Sequence, residues 1–98
     1  MFARIHTLDT TPEQFEEGLK IIREQLLPWT RESTGFRGMI GLRHREGGTA
    51  LVITLWADEA SLGASEQAAD QLSTLTTQVT GTTRRSLDDY EVTLFELT

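Results

Sequence analysis

Apolar and polar positions change rhythm several times along the chain, and each change marks an element. Phe2 to Leu8 alternates, with Phe2, Arg4, His6 and Leu8 on one side and Ala3, Ile5 and Thr7 on the other, which is the period of a strand. Thr11-Pro12-Glu13-Gln14 then opens a helix with a capping box, proline at the first helical position and an acid in the first turn. Phe15, Leu19, Ile22, Leu26 and Trp29 come next at helical spacing and form one face. Pro28 falls inside this pattern, where its missing N–H leaves the carbonyl of Glu24 without a partner and predicts a kink in the last turn. Arg31 near the end and Gly35 after it fit a helix C-terminus.

From Gly35 to Trp56 the chain reads GFRGMIGLRHREGGTALVITLW. Gly47-Gly48 between two runs of apolar and β-branched residues predicts a two-residue hairpin turn. That turn pairs Glu46 with Thr49, Leu42 with Ile53, Ile40 with Leu55 and Met39 with Trp56. It also sets Gly41 opposite Thr54, small residues beside a large aromatic that can leave room for a ligand or equally let a helix approach closely. One face then carries Ile40, Leu42, Leu51, Ile53 and Leu55; the other carries Arg37, Met39, Gly41, Arg43, Val52, Thr54 and Trp56. The second strand does not alternate. From Ala50 to Trp56 only Thr54 is polar, which demands cover on both faces.

Beyond the hairpin Asp58 caps a second helix whose apolar face is thinner: Leu62, Ala69, Leu72 and Val79, with Leu75 beside them. Gly63 and Ser65 predict a break into a short and a long piece, and Gly81 an exit. Leu87 to Leu97 reads as a last strand, with Tyr90, Val92 and Leu94 on one face.

The order β-α-β-β-α-β is the split βαβ, ferredoxin-like arrangement, an α+β fold with a four-stranded antiparallel sheet and two helices on one face. The helices cover one side of the sheet only. A second copy of the same sheet is the cheapest cover for the other, so the pattern predicts a homodimer packed through its sheet faces. At about 25 cal/mol per Å2, a bare apolar face of even a few hundred Å2 would cost several kcal/mol.

Composition narrows the function classes. Residues 1–98 suffice for one domain. A net charge of -6 argues against a nucleic-acid partner, which needs a clustered basic surface. No apolar run approaches the roughly 18 residues of a membrane span. Without a basic leader followed by an apolar stretch, the cytoplasm is the expected location. The chain has no cysteine, and its two histidines, His6 and His44, have no acidic cluster nearby, a poor basis for a metal site.

Gly35-Phe36-Arg37-Gly38 after a helix, then a hairpin, then Leu55-Trp56-Ala57-Asp58-Glu59-Ala60, resembles the antibiotic-biosynthesis-monooxygenase-like family over nearly the whole chain. The resemblance implies a dimeric α+β barrel with a reaction cavity between sheet and helices, lined by a tryptophan at the end of the third strand, here Trp56. Members include quinone-forming monooxygenases that use no cofactor, haem-degrading monooxygenases, isomerases and many proteins of unknown function. The chain departs from both catalytic sets. The haem degraders carry a histidine on the second helix, absent here, and an asparagine on the first strand, where this chain has His6 or Thr7. The quinone-forming enzymes have an asparagine in the third strand where Val52 stands, and a tyrosine after the tryptophan where Leu62 is nearest.

Each candidate residue has two readings. Trp56 is a cavity wall or a core aromatic. His6 is a general base toward a phenolic substrate, if its pKa stays near neutral, or a hydrogen-bonded strand residue. Arg37 and Arg43 bind an anionic group or pair with neighbouring acids. Met39 and Thr54 shape the cavity beside Trp56. Tyr90 donates a proton or packs, His44 is exposed, and Asp88-Asp89 and Glu13-Glu16-Glu17 are solvated faces. The expected function is a small cofactor-independent monooxygenase acting on or binding an aromatic, polyketide-like molecule. The alternative is a non-catalytic dimeric ligand-binding or stress-type module, and haem degradation stands third.

Overall fold

A computed structural model describes the backbone of residues 1–98 and every side chain except those of Ala68, Leu72, Leu75 and Thr76. The helical positions expected of Leu72 and Leu75 therefore lie outside the described residues. The elements are β1 (Phe2–Thr10), α1 (Pro12–Ile21), a π-helical turn (Ile22–Leu26), α2 (Leu27–Arg31), β2 (Phe36–Arg43), β3 (Gly48–Trp56), α3 (Glu59–Ala64), α4 (Glu66–Thr80) and β4 (Thr83–Glu91). All strand pairs are antiparallel in the order β2-β3-β1-β4, the ferredoxin-like sheet, with the helices on one face. No helix among the described residues is long and apolar enough to cross a membrane.

Local chemistry explains the boundaries. The Thr11 hydroxyl accepts from the Gln14 backbone N–H while the Gln14 side chain accepts from the Thr11 N–H, closing the capping box. Pro28 acts one turn earlier than a simple kink would. The helix widens over Ile22–Leu26, where the Leu27 N–H reaches back to the Ile22 carbonyl, and resumes as α2. Asp58 caps α3 by accepting from the Ser61 N–H at 2.8 Å. Ser65 separates α3 from α4, and Gly81, at φ 79°, ends α4 in the left-handed conformation.

The hairpin differs from its expected register. Thr49 pairs with His44, and the ladder runs Leu42–Leu51, Gly41–Val52, Ile40–Ile53 and Met39–Thr54, two residues from the expected pairing. The turn is a longer loop: the Gly47 N–H closes onto the His44 carbonyl, and Gly47 and Gly48 both take positive φ behind it. A shift of two leaves the side chains from Met39 to Arg43 on their expected faces. The last strand also differs. It spans Thr83–Glu91, and Leu94 and Leu97 beyond it are about four-fifths exposed, so the expected extension to Leu97 does not form.

The core lies between the helices and one face of the sheet. Ile21, Ile22 and Leu26 pack on Val52, with Leu8 and Met39 at the margin. On β3, Ala50, Val52, Thr54 and Trp56 are buried against the helices, whereas on the outer face Leu55 is buried and Leu51 and Ile53 are only half-buried. Beside them Ile40, Leu42 and Tyr90 are exposed.

Candidate functional site

Trp56 ends β3 and is buried under the start of α3. Its indole N–H donates to the Thr54 hydroxyl at 2.9 Å, and its ring meets Phe36 edge-on with centroids 5.5 Å apart. Gly35 makes this possible from below. Its carbonyl accepts from the Ala57 N–H at 2.7 Å, its φ is +80°, and a Cβ there would sit 2.1 Å from the Ser61 hydroxyl oxygen. Only glycine allows the loop to pass this close to α3.

Above Trp56 opens a cleft of about 660 Å3, walled by Trp29, Trp56, Ser61, Ser65, Gln67 and Gln71. Trp29, expected on the buried face of the first helix, is 44% exposed and forms one side of it. The widened turn before Pro28 accounts for the displacement, because an extra residue per turn rotates the succeeding residues about the helix axis.

Beneath the cleft, and sharing Trp29, Trp56 and Ser65 with it, lies a chamber of about 20 Å3 bordered by Arg4, His6, Thr30, Met39 and Thr54. It has room for one water molecule. The chamber is mainly apolar in its lining, with Leu26, Met39 and Ala69 beside the tryptophans, and β1 turns Arg4 and His6 toward the helices to place polar groups in it. Arg4 is buried and forms a two-pronged ion pair with Asp89 (Nε to Oδ1 2.8 Å, Nη2 to Oδ2 3.1 Å), while its Nη1 donates to the Ser65 hydroxyl at 2.9 Å. The Ser65 hydroxyl in turn donates a hydrogen bond to the Leu62 carbonyl at 2.6 Å. Asp89 is therefore not part of a purely solvated face, and hydrogen bonds from Arg4 hold its carboxyl below the usual range.

His6 is 2% exposed. Burial first, then the like charges of Arg84 and Arg4, push its pKa down to about 4, against the near-neutral value expected from sequence. The imidazole is neutral at pH 7, a hydrogen-bond acceptor and a weak base.

The expected site residues thus separate. His6, Thr54, Met39 and Trp56 come together. Arg43 lies away from them, over the Phe15 ring and 3.5 Å from the Glu16 carboxylate. Arg37 sits on a bulge between Phe36 and Gly38, exposed and on the Asp58 side, so it leaves the Trp56 face to Phe36. Arg4, Ser65, Asp89 and Trp29 complete the site without having been marked in the sequence. Arg4 shared the parity of His6, but nothing local pointed to a partner 85 residues away.

A haem group does not fit the residues present. The cleft walls offer hydroxyls, amides and the Glu32 carboxylate but no imidazole, His6 is enclosed beside two arginines, and His44 stands exposed at the hairpin.

No protein-family model and no curated protein matches the chain. Solved structures do. A monooxygenase from the gene ActVA-Orf6 of Streptomyces coelicolor, in complex with Nanaomycin D, superposes with a TM-score of 0.77 at 12% identity over 99% of this chain and 91% of its own. A dimeric ferredoxin-like protein from an uncultured marine organism gives 0.75 at 15% identity over 97% of both chains. The haem degrader MhuD of Mycobacterium tuberculosis, with two haems in its active site, gives 0.68 at 21% identity over 98% and 99%. The likeness read in the sequence holds at the level of fold: this is a ferredoxin-like α+β chain built as the antibiotic biosynthesis monooxygenases are built.

Proposed function

We propose that this protein binds a planar aromatic, polyketide-like molecule in the cleft over Trp56 and oxidises it as a small cofactor-independent monooxygenase of the cytoplasm. The observation that carries this reading is a cleft of about 660 Å3 with two tryptophan walls, set over a small chamber bordered by Arg4 and His6. Aromatic rings bind between such walls, and Ser61, Gln67 and Gln71 supply hydrogen-bond partners for ring oxygens. The Streptomyces coelicolor neighbour, a monooxygenase complexed with Nanaomycin D, supports the ligand class. In the quinone-forming reaction an electron-rich ring CH2 becomes C=O. One atom of O2 enters the ring, and the other leaves as water with the two hydrogens. Met39 and Thr54 shape the floor, and the Arg4 guanidinium favours an oxyanion above it. His6 is the chamber's acceptor for a ligand hydroxyl, and Glu32 on the cleft wall is a second group that can take a proton.

One observation favours a second reading, a non-catalytic ligand-binding module. His6 titrates at about 4 and borders a chamber of only about 20 Å3, so its basicity is poorly matched to catalysis at neutral pH. Titration with 1,8-dihydroxyanthrone separates the two. Saturable quenching of tryptophan fluorescence with equimolar oxygen uptake supports the oxygenase. Quenching without uptake supports the binding module, and no quenching defeats both.

The half-bare outer face of the sheet, together with a dimeric ferredoxin-like neighbour, supports a homodimer packed sheet to sheet.

A further inference from the structure

A second groove, of about 460 Å3, runs between the first helix and β2, away from the cleft over Trp56. Its walls are apolar, formed chiefly by Phe15, Leu19, Ile22, Leu27, Phe36 and Met39, and Gly41 leaves part of its floor without a side chain. Arg23, Arg31 and Arg43 stand along it, and no acidic residue lines it. In a chain of net charge -6, three of the eight arginines thus meet at one apolar groove. Arg43 pairs with Glu16 only at the surface, 3.5 Å away and exposed, a contact worth little. Among the described residues Arg23 and Arg31 make no ion pair. The π-helical turn contributes Ile22 and Arg23, and such widened turns recur at functional sites.

We propose that this groove is a second ligand site, separate from the cleft, for a small amphipathic anion with an alkyl or aryl body and one carboxylate. The body lies along Leu19, Ile22, Leu27 and Met39, and the guanidinium forks of Arg23 and Arg31 take the carboxylate. Apolar lining supplies most of the affinity, and the arginines choose anions over neutral or cationic molecules of the same shape. Met39 borders both this groove and the His6 chamber.

Methyl NMR of the full chain tests this with octanoate against 1-octanol and octyltrimethylammonium. Octanoate should move the Leu19, Ile22, Leu27 and Met39 methyl signals saturably, at least tenfold more tightly than either counterpart, with the gap narrowing as salt rises. The Arg23→Gln/Arg31→Gln double variant should lose the preference for octanoate and still bind octanol. Gly41→Leu should weaken all ligands at least tenfold. A Cβ at Gly41 meets only Leu19 Cδ2, at 3.8 Å, so the backbone tolerates the change and the added branch occupies the groove. Equal binding of octanoate and octanol by the unaltered protein overturns the proposal without any variant. Shifts confined to the Trp29 and Ser61 side, or no shifts, overturn it too, and the first of these leaves the cleft reading standing.

Discussion

Arg4 is a buried cation on the central part of the sheet, and its position settles much of the site's chemistry. It ties β1 to β4 through Asp89 and to the α3–α4 junction through Ser65. Removing the Asp89 carboxylate would strand a buried guanidinium, which costs about 3 kcal/mol where the pair is fully enclosed. Asp89 is partly exposed, so Asp89→Ala should cost about 2 kcal/mol, read from the urea midpoint at constant m-value. His6 lies beside this pair and gives a pH signature. Its native pKa of about 4 is below the 6.5 of an exposed imidazole, so the unfolded chain takes up the proton first. The stability this group confers is complete above pH 6.5 and is lost as pH falls toward 4. By the linkage slope of about 1.4 kcal/mol per pH unit, the loss reaches about 3 kcal/mol across that window. Urea midpoints should therefore fall between pH 7 and pH 4.5, and His6→Gln should flatten the fall. Asp89, whose carboxyl Arg4 holds below the usual range, adds a loss of the same sign that begins only at the acid end of this window, as the unfolded chain's carboxylate starts to protonate. A midpoint independent of pH in the unaltered protein would place His6 in contact with solvent.

Elements were legible where a signal is local and obscure where it is not. The capping box, the Asp58 cap, the break at Ser65 and the exit at Gly81 all form as read, because each depends on residues within four positions of one another. The hairpin register slipped by two, since Gly47-Gly48 admits both a tight turn and a longer loop, and side-chain parity does not distinguish them. Pro28 announced a disturbance but not that the helix would absorb it as a π-helical turn, which is why Trp29 turned up in the cleft wall. Arg37 left its expected face because a bulge carries no alternation signal of its own. Gly35 shows the same limit from the other side. Sequence marks it as a helix stop, yet its tighter constraint is the contact with Ser61, 26 positions on. Gly35→Ala should destabilise by about 2 kcal/mol, combining φ strain with overpacking. Gly35→Ala/Ser61→Gly should recover the packing part only, a non-additivity that a double-mutant cycle on urea midpoints measures. Full additivity would mean the two residues do not touch.

At the scale of the molecule, the sheet has two unlike faces. The helix side encloses Val52, Thr54 and Trp56, while in a single chain Ile40 and Leu42 are 40% and 46% exposed and Leu51 and Ile53 half-buried. β3 is apolar on both sides, and the helices of one chain cover one of them. Each partner of a standard interface buries about 800 Å2, and the apolar strip across β2, β3 and β1, with Tyr90 at its margin, is the natural centre for one. Sedimentation should give twice the mass of one chain at micromolar concentration. Ile40→Lys/Leu42→Lys adds two charges to the exposed end of that strip and leaves the helix-side core untouched. The variant should sediment as single chains, keep its far-UV circular dichroism, and lose thermal stability in a way that no longer depends on protein concentration. Should the unaltered chain already sediment as a monomer with a concentration-independent Tm, its outer face is free in solution, and the apolar character of β3 would need a different cover.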